Sequence, residues 1–221
     1  MIKYLYGKWE YLKFVAAGEH SVRLTHISHY ASLENKEMCD RETSKVFLLN
    51  KDTTTMTING HKISPDSLTW HSSFEFLTPN CYCLCLSNSK DSEFLYDRFK
   101  ADTCLEIDVT RLVEIIEDCI LTNFPGTKVL HKDIIYYPDV MQTPFPMGNE
   151  LIFQKPQSFQ PEDEYRVALI IPASKRDFQT GCGKRVPTMP GEDAGCTYLN
   201  FTSKIPGVLK SYIRAVHRRR V

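Results

Sequence analysis

The chain has 221 residues, of which 42% are hydrophobic and 24% are charged, a composition typical of a globular protein and not of a disordered one. Its 27 basic and 27 acidic side chains cancel, which excludes a strong overall field that would attract nucleic acid. The length predicts a single domain over residues 1–221. No apolar run reaches the length of a membrane span, and the N-terminus lacks the apolar segment of a signal peptide, so we expect a cytoplasmic protein without membrane contact.

We expect all eight cysteines to be free thiols in that compartment. Cys81, Cys83 and Cys85 alternate along one predicted strand, where buried thiols behave as small core residues. No Cys-x-x-Cys pair occurs, so the sequence predicts no zinc site. Cys182 and Cys196 lie in a segment rich in glycine and proline and would pair only under oxidising conditions.

Strands predominate in the first half of the chain. Residues 8–17 predict a short helix that stops at Gly18, and Asn59-Gly60 predicts a hairpin turn. The other predicted elements are a strand at 20–26, a helix or ordered loop at 28–45, strands at 46–49 and 55–63, a buried strand at Tyr82–Ser87 and one or two helical turns at Ser92–Phe99. We expect Phe94, Leu95 and Phe99 of these turns to face inward.

The second half contains the clearest helix, an amphipathic segment that we expect Thr110 to cap and that runs through Leu121. The other predicted elements are strands at 104–109 and 129–137, a short element at 150–153, a strand at Tyr165–Ile171, a long loop at 172–195, a strand at 196–201 and a terminal helix at Val208–Val216. Because strands outnumber helices and do not alternate regularly with them, the predicted fold class is α+β.

The most informative segment is Glu162-Asp163-Glu164, which lies where a proline-marked loop becomes a buried strand. Two carboxylates two residues apart at a strand entrance point to the same side of the sheet. They repel each other unless a cation, or positive charge that develops during a reaction, lies opposite them. Such a carboxylate can stabilise a sugar oxocarbenium ion. The alternative interpretation is an acidic turn before an ordinary strand.

Two other elements precede this segment. Arg23 and Thr25 lie on an early predicted strand, and Ser87 and Ser89 end a middle one. The order of a basic residue, Ser-x-Ser and Glu-x-Glu resembles the Arg-Ser-Glu class of the ADP-ribosyltransferase superfamily. The alternatives are a surface ion pair for Arg23 and ordinary strand-end caps for the serines.

That resemblance implies a mixed or antiparallel sheet with short flanking helices, NAD as co-substrate and no metal. It implies that Glu164 is catalytic with Ser87, and that Glu162 positions the acceptor, usually an arginine in this class. We assign five residues to the binding of NAD: Arg23, Thr25, Ser87, Ser89 and Tyr96. Arg23 suits the pyrophosphate of NAD, because a fixed guanidinium binds a pyrophosphate well. A His-Tyr-Glu arrangement of His26 with Tyr96 is the alternative assignment.

Residues 20–171 also resemble the uncharacterised bacterial domain-of-unknown-function 2971 family. The matching segments are Cys85-Leu86-Ser87, Tyr96–Ala101, Cys104–Asp108, Lys155 and Glu162–Arg166. Tyr96 and Phe99 stand where that family has Trp and Tyr, and its Asn-Asp-Pro near the first strand is missing here.

Together, these resemblances imply an intracellular bacterial toxin or phage-defence effector that is a mono-ADP-ribosyltransferase, with a possible antitoxin partner. The acceptor is a nucleic acid (RNA or DNA) or a protein. The loop 172–195 and the basic C-terminal tail could hold a single strand by charge and stacking, through Arg214, Arg218, Arg219 and Arg220. The alternative for the tail is a solvated helix end. The alternatives for the activity are a NAD glycohydrolase and a catalytically silent binding module of the same fold.

Overall fold

A computed structural model of the chain describes residues 1–32, 42–68, 70–141, 144–179, 183–189 and 198–219. Its strands, in chain order, are β1 (Ile2–Gly7), β2 (Leu24–His26), β3 (Ser44–Leu49), β4 (Met56–Ile58), β5 (His61–Ile63), β6 (Ser72–Leu77), β7 (Cys81–Ser87), β8 (Thr103–Asp108), β9 (Lys128–Asp133), β10 (Ile135–Tyr137), β11 (Val140–Met141), β12 (Gln154–Pro156), β13 (Glu164–Ile170), β14 (Asp177–Gln179), β15 (Arg185–Pro187), β16 (Tyr198–Leu199) and β17 (Ile213–Arg218).

The α-helices of the described residues are α1 (Trp9–Ala17), α2 (Glu93–Arg98) and α3 (Val109–Asn123). Short 3-10 helices cover Ile27–Ser32, Pro65–Ser67, Gly148–Phe153, Gln157–Glu162 and Val208–Lys210. The fold is therefore α+β, as predicted, with mostly antiparallel strands and few helices. None of the helices in the described ranges combines the length and the apolar composition that crossing a bilayer requires.

The main sheet contains eight of the described strands, all paired antiparallel, in the order β16-β2-β7-β1-β8-β17, with β13 and then β9 joined to β7. A smaller sheet has the order β11-β3-β6, and β10 pairs with β12. The hairpins β4–β5 and β14–β15 complete the pairings. The β4–β5 hairpin reverses direction at Asn59-Gly60, as predicted, because both residues adopt the positive φ angles that a tight hairpin needs.

Alternation along β7 and β13 separates two layers of the molecule. Tyr82, Leu84 and Leu86 on β7 face the same core as alternate residues of β13, and this core includes the apolar faces of α1 and α3. The other face of the two strands carries Cys81 and Cys83 with Ala168 and Ile170. By the same two-residue period, Glu164 and Arg166 point away from the helices.

Three predictions about individual elements are wrong. The helix expected at Val208–Val216 is a 3-10 turn followed by β17, because Ile213–Arg218 alternates half-buried and exposed residues and pairs with β8. Asp108, not Thr110, is the N-cap of α3, and its carboxylate accepts a hydrogen bond from the backbone N–H of Arg111. Phe94, expected to face inward, is exposed.

The sequence analysis also missed β1 and β6. Pairing with β8 along its full length stabilises β1, a long-range contact that no local pattern shows. The hairpin β14–β15 interrupts the loop predicted at 172–195. Of the eight cysteines, Cys81, Cys83, Cys85, Cys104 and Cys119 are free thiols, whereas Cys39, Cys182 and Cys196 lie outside the described residues.

Candidate functional site

A cleft opens on one edge of β7. On the opposite edge, β13 pairs with all seven residues Cys81–Ser87. On the cleft edge β2 reaches only Tyr82 and Cys83, and β1 reaches only Ser87. The sheet therefore separates beside Leu84–Leu86. The cleft has a volume of about 250 Å³, and its walls include Tyr4 and Tyr6 of β1, Arg23 and Thr25 of β2, Ser87 of β7, and Glu162, Glu164 and Arg166.

The two glutamates lie on either side of a tight turn. Glu162 ends the 3-10 helix Gln157–Glu162, Asp163 adopts a left-handed conformation (φ 45°, ψ 53°), and Glu164 begins β13. Their side chains are only 6% and 4% exposed. The Lys155 ammonium lies between them, with Nζ 2.6 Å from Glu162 Oε2 and 3.0 Å from Glu164 Oε2. A resident cation thus removes the repulsion that the sequence pattern predicts.

Ion pairs continue from this lysine in both directions. Arg166 donates from Nε to Glu164 Oε1 at 2.7 Å, and from Nη2 to Glu42 Oε1 at 2.8 Å. Lys45 Nζ lies 2.7 Å from Glu42 Oε2. At the other end, Arg98 Nε lies 2.7 Å from Glu162 Oε1. We call the resulting series the buried ion-pair chain, which runs Lys45–Glu42–Arg166–Glu164–Lys155–Glu162–Arg98.

The buried ion-pair chain keeps its groups charged. Burial by itself raises the pKa of the Glu164 carboxyl, but Arg166 and Lys155 outweigh that effect and bring the pKa down to about 2. Burial opposes ionisation of Glu42 in the same way, and Arg166 and Lys45 hold its pKa well below the usual value. Burial lowers the pKa of Lys155, yet the neighbouring carboxylates raise it overall. Glu164 is therefore an ionised carboxylate at neutral pH, held by two cations.

Ser87-Asn88-Ser89 holds the turn between the glutamates. The Ser87 hydroxyl donates to the Glu162 carbonyl at 2.9 Å, and the Asn88 backbone N–H donates to the Asp163 carbonyl at 2.8 Å. Ser89 Oγ donates to the Asp163 carboxylate at 3.0 Å and does not line the cleft. The Ser-x-Ser segment therefore fixes the backbone of the Glu-x-Glu turn, and of its two serines only Ser87 faces the cleft.

Arg23 lies at the rim of the cleft, with its guanidinium carbon 4.5 Å from the centre of the exposed Tyr198 ring. Within the described residues it makes no ion pair, in contrast to Lys155 and Arg166 on the inner wall. Thr25, two residues further along β2, is half-buried and also lines the cleft. The rim therefore presents an exposed positive charge.

Two further candidate residues, in addition to Ser89, lie outside the cleft. Tyr96 is buried against Ala101 and Cys104, and its hydroxyl donates to Asp91 Oδ1 at 2.7 Å. The ring nitrogens of His26 lie 2.7 Å from Ser28 Oγ and from Asn80 Oδ1. Burial lowers the pKa of this imidazole. The structure brings neither side chain to the glutamates.

The residues around the carboxylates are less visible in the sequence. Lys155 and Arg166 stand out there only as parts of a family pattern, and Glu42 and Tyr30 do not stand out at all, although all four line the cleft. Arg166 gave a signal that could have been used. It lies within seven consecutive buried residues, and a fully buried arginine requires buried carboxylates. Glu42 gave no such signal, because only the fold brings it to Arg166.

The C-terminal cations lie on or next to β17. Arg214 pairs with Asp108, and Arg219 pairs with Glu93 and Asp97 of α2. The Arg218 guanidinium lies 4.8 Å from the Trp9 ring. Arg220 lies outside the described residues. Much of this basic segment is thus neutralised by carboxylates of its own chain.

Comparisons of the chain with protein-family models, with curated proteins and with solved structures found no match. Among the described residues, no group of three or more His, Cys, Asp or Glu side chains is arranged to hold a metal ion. The assignment of an activity therefore depends on the residues of the cleft and their geometry.

Proposed function

We propose that the cleft binds NAD and transfers its ADP-ribose group to an acceptor, so that the chain is a NAD-dependent mono-ADP-ribosyltransferase. The observation that carries the proposal is the convergence of Arg23, Ser87 and Glu164, from three distant parts of the sequence, on one cleft. This spatial grouping is the one that the order Arg, Ser-x-Ser, Glu-x-Glu requires.

The rim of the cleft offers a cation to an anionic ligand. The charged residues that line the cleft balance, because Arg23, Lys155 and Arg166 match three glutamates, but Lys155 and Arg166 are held in ion pairs on the inner wall and Arg23, within the described ranges, is not. NAD carries a pyrophosphate with two negative charges, which a guanidinium binds with paired, charge-assisted hydrogen bonds. We assign the pyrophosphate to Arg23, which is exposed and has no carboxylate partner among the described residues.

Glu164 is the proposed catalytic carboxylate. When the bond between ribose C1′ and nicotinamide breaks, its electron pair goes to the nicotinamide ring and positive charge develops on the ribose. A carboxylate that is ionised and fixed in advance stabilises that charge, an effect worth about 3 kcal/mol for one preorganised group. Arg166 and Lys155 fix Glu164, and Ser87 fixes the turn before it.

The biological setting is proposed on the sequence resemblance alone. It is that of a bacterial toxin or phage-defence effector, with a nucleic acid or a protein as acceptor. An antitoxin protein that covers the cleft until release would suit such an activity.

The test is nicotinamide release from NAD by the purified protein, compared between wild type and Glu164→Gln. We expect a loss of a hundredfold or more in rate, because the isosteric amide removes the charge and keeps the shape. Glu106→Gln is a matched control, since this glutamate lies on β8 and pairs with Lys90 and His217 away from the cleft. Full activity in a folded Glu164→Gln protein would refute the assignment of Glu164.

A second candidate function is a nucleotide-binding module without catalysis. The observation in its favour is that both carboxylate oxygens of Glu164 are already in ion pairs, Oε1 with Arg166 and Oε2 with Lys155. Calorimetric binding of ADP-ribose without nicotinamide release from NAD would support this module. Nicotinamide release with free ADP-ribose as the sole product would instead support a NAD glycohydrolase.

A further inference from the structure

Glu162 is enclosed by cations of its own chain. Arg98, the last residue of α2, reaches its Oε1 at 2.7 Å, and Lys155 reaches its Oε2 at 2.6 Å. The Phe159 ring lies against both cations, with its centre 5.6 Å from the Arg98 guanidinium carbon and 4.5 Å from Lys155 Nζ. Each oxygen of this carboxylate is therefore already paired with a cation of the chain.

The guanidinium of Arg98 already pairs with Glu162, the carboxylate to which the resemblance assigns an arginine acceptor. An arginine acceptor that used Glu162 would have to displace either Arg98 or Lys155, and it would bring a third cation to one carboxylate. Like charges at such short range repel strongly where water is excluded. A neutral acceptor meets no such repulsion.

We infer that the acceptor is a neutral oxygen or nitrogen nucleophile and that Arg98 excludes an arginine acceptor. This inference rests on the proposed transferase function. In the reaction, the bond between C1′ and nicotinamide breaks and its electron pair returns to the pyridine ring. The acceptor forms the new bond to C1′ and releases its proton to solvent. Glu162 then serves to join α2 to the Glu-x-Glu turn, and Glu164 alone faces the ribose.

Arg98→Ala tests the inference by opening Glu162. Wild type and variant are incubated with NAD and one of three acceptors: water alone, agmatine as a small guanidine, or a single-stranded oligonucleotide supplied as DNA or as RNA. We expect wild type to release nicotinamide without forming detectable ADP-ribosyl-agmatine, and Arg98→Ala to form that product at a rate at least tenfold above the detection limit. Arg111→Ala, which removes an arginine of the exposed Arg111–Glu114 pair on α3, is the matched control and should gain none.

Each outcome bears on a different claim. ADP-ribosyl-agmatine formed by wild type as fast as nicotinamide is released would overturn the neutral acceptor and leave the transferase function intact. Absence of nicotinamide release in every arm refutes the transferase function itself. If Arg98→Ala does not fold, the wild-type comparison of agmatine with water and oligonucleotide still decides the question. Product on the oligonucleotide identifies nucleic acid as the source of the nucleophile, whereas free ADP-ribose alone identifies a NAD glycohydrolase and refutes the transferase function.

Discussion

The two edges of β7 differ in what they contribute. One edge is paired with β13 over its whole length, and the outward face of that pair carries Glu164 and Arg166 in the buried ion-pair chain. The other edge is divided between β2 and β1 and leaves a cleft whose rim carries the exposed Arg23. Continuous pairing with satisfied charges favours a rigid wall, whereas an interrupted edge leaves room for a ligand. We therefore expect loss of the Arg166 cation on the first edge to change mainly stability, and loss of the Arg23 cation on the second to change mainly binding.

The largest effect is expected for Arg166→Met. The substitution leaves Glu42 and Glu164 buried without their shared partner, and breaking a buried ion pair in this way costs about 3–5 kcal/mol. Urea denaturation measures the change in the free energy of unfolding. Arg111→Met, in a half-exposed pair on α3, is the control and should cost less than about 1 kcal/mol. A loss for Arg166→Met as small as that of the control would contradict the stabilising role of the paired edge.

The second-largest effect concerns the free energy of unfolding at acid pH. The pKa of Glu164 in the folded protein, about 2, is lower than its ordinary value of 4.5, so folding is favoured by its ionisation. That contribution is fully present above about pH 4.5 and is lost as the pH falls towards 2. We expect Glu164→Gln to lose less stability than wild type between pH 5 and pH 2 in urea titrations. Glu10→Gln on the exposed surface of α1 reports the acid effect common to the whole protein, and identical profiles for all three proteins would exclude the linkage.

A smaller effect, confined to binding, is expected for Arg23→Gln. Loss of one charge-assisted contact to a phosphate weakens binding by about 1.5 kcal/mol, or roughly tenfold in the KM for NAD. The free energy of unfolding should change little, because the side chain is exposed and makes no ion pair within the described residues. Arg185→Gln, an exposed arginine on β15 outside the cleft, is the matched control. An unchanged KM would show that Arg23 does not bind the phosphate of NAD.

The smallest effect is expected for Arg214→Gln on β17. Its pair with Asp108 is half-exposed, and pairs of this kind contribute roughly 0–1 kcal/mol. If nucleic acid is the acceptor and β17 holds it, the same substitution should weaken transfer to an oligonucleotide, and added salt should mimic the change. Unchanged transfer and salt dependence would exclude that role.

The sequence predicted the α+β class, the buried strands β7 and β13, α1 with its stop at Gly18, and the β4–β5 hairpin. These features follow from local alternation, from apolar periodicity and from residues that tolerate positive φ angles. The sequence did not predict β1 or β17, because each strand is stabilised by pairing with β8 from a distant part of the chain.

The candidate site divides in the same way. The sequence named Arg23, Ser87 and Glu164, which share the cleft, but it gave no partners for the carboxylates. The local sequence around a carboxylate on one face of a sheet does not show whether that carboxylate is solvated or paired with a buried cation. Glu42 reaches Arg166 only through the tertiary fold, so its place in the buried ion-pair chain could not be read from local spacing.

The position of β17 has a consequence for how the protein behaves at high concentration. In the described part of the chain β17 pairs only with β8, and an edge strand of this kind can pair with a strand from another molecule, the usual start of edge-to-edge aggregation. Two features oppose such growth: Arg214 and Arg218 occupy exposed positions on the strand, and the register shifts between Ile213 and Ala215. The basic residues of β17 therefore also oppose strand pairing between neighbouring molecules.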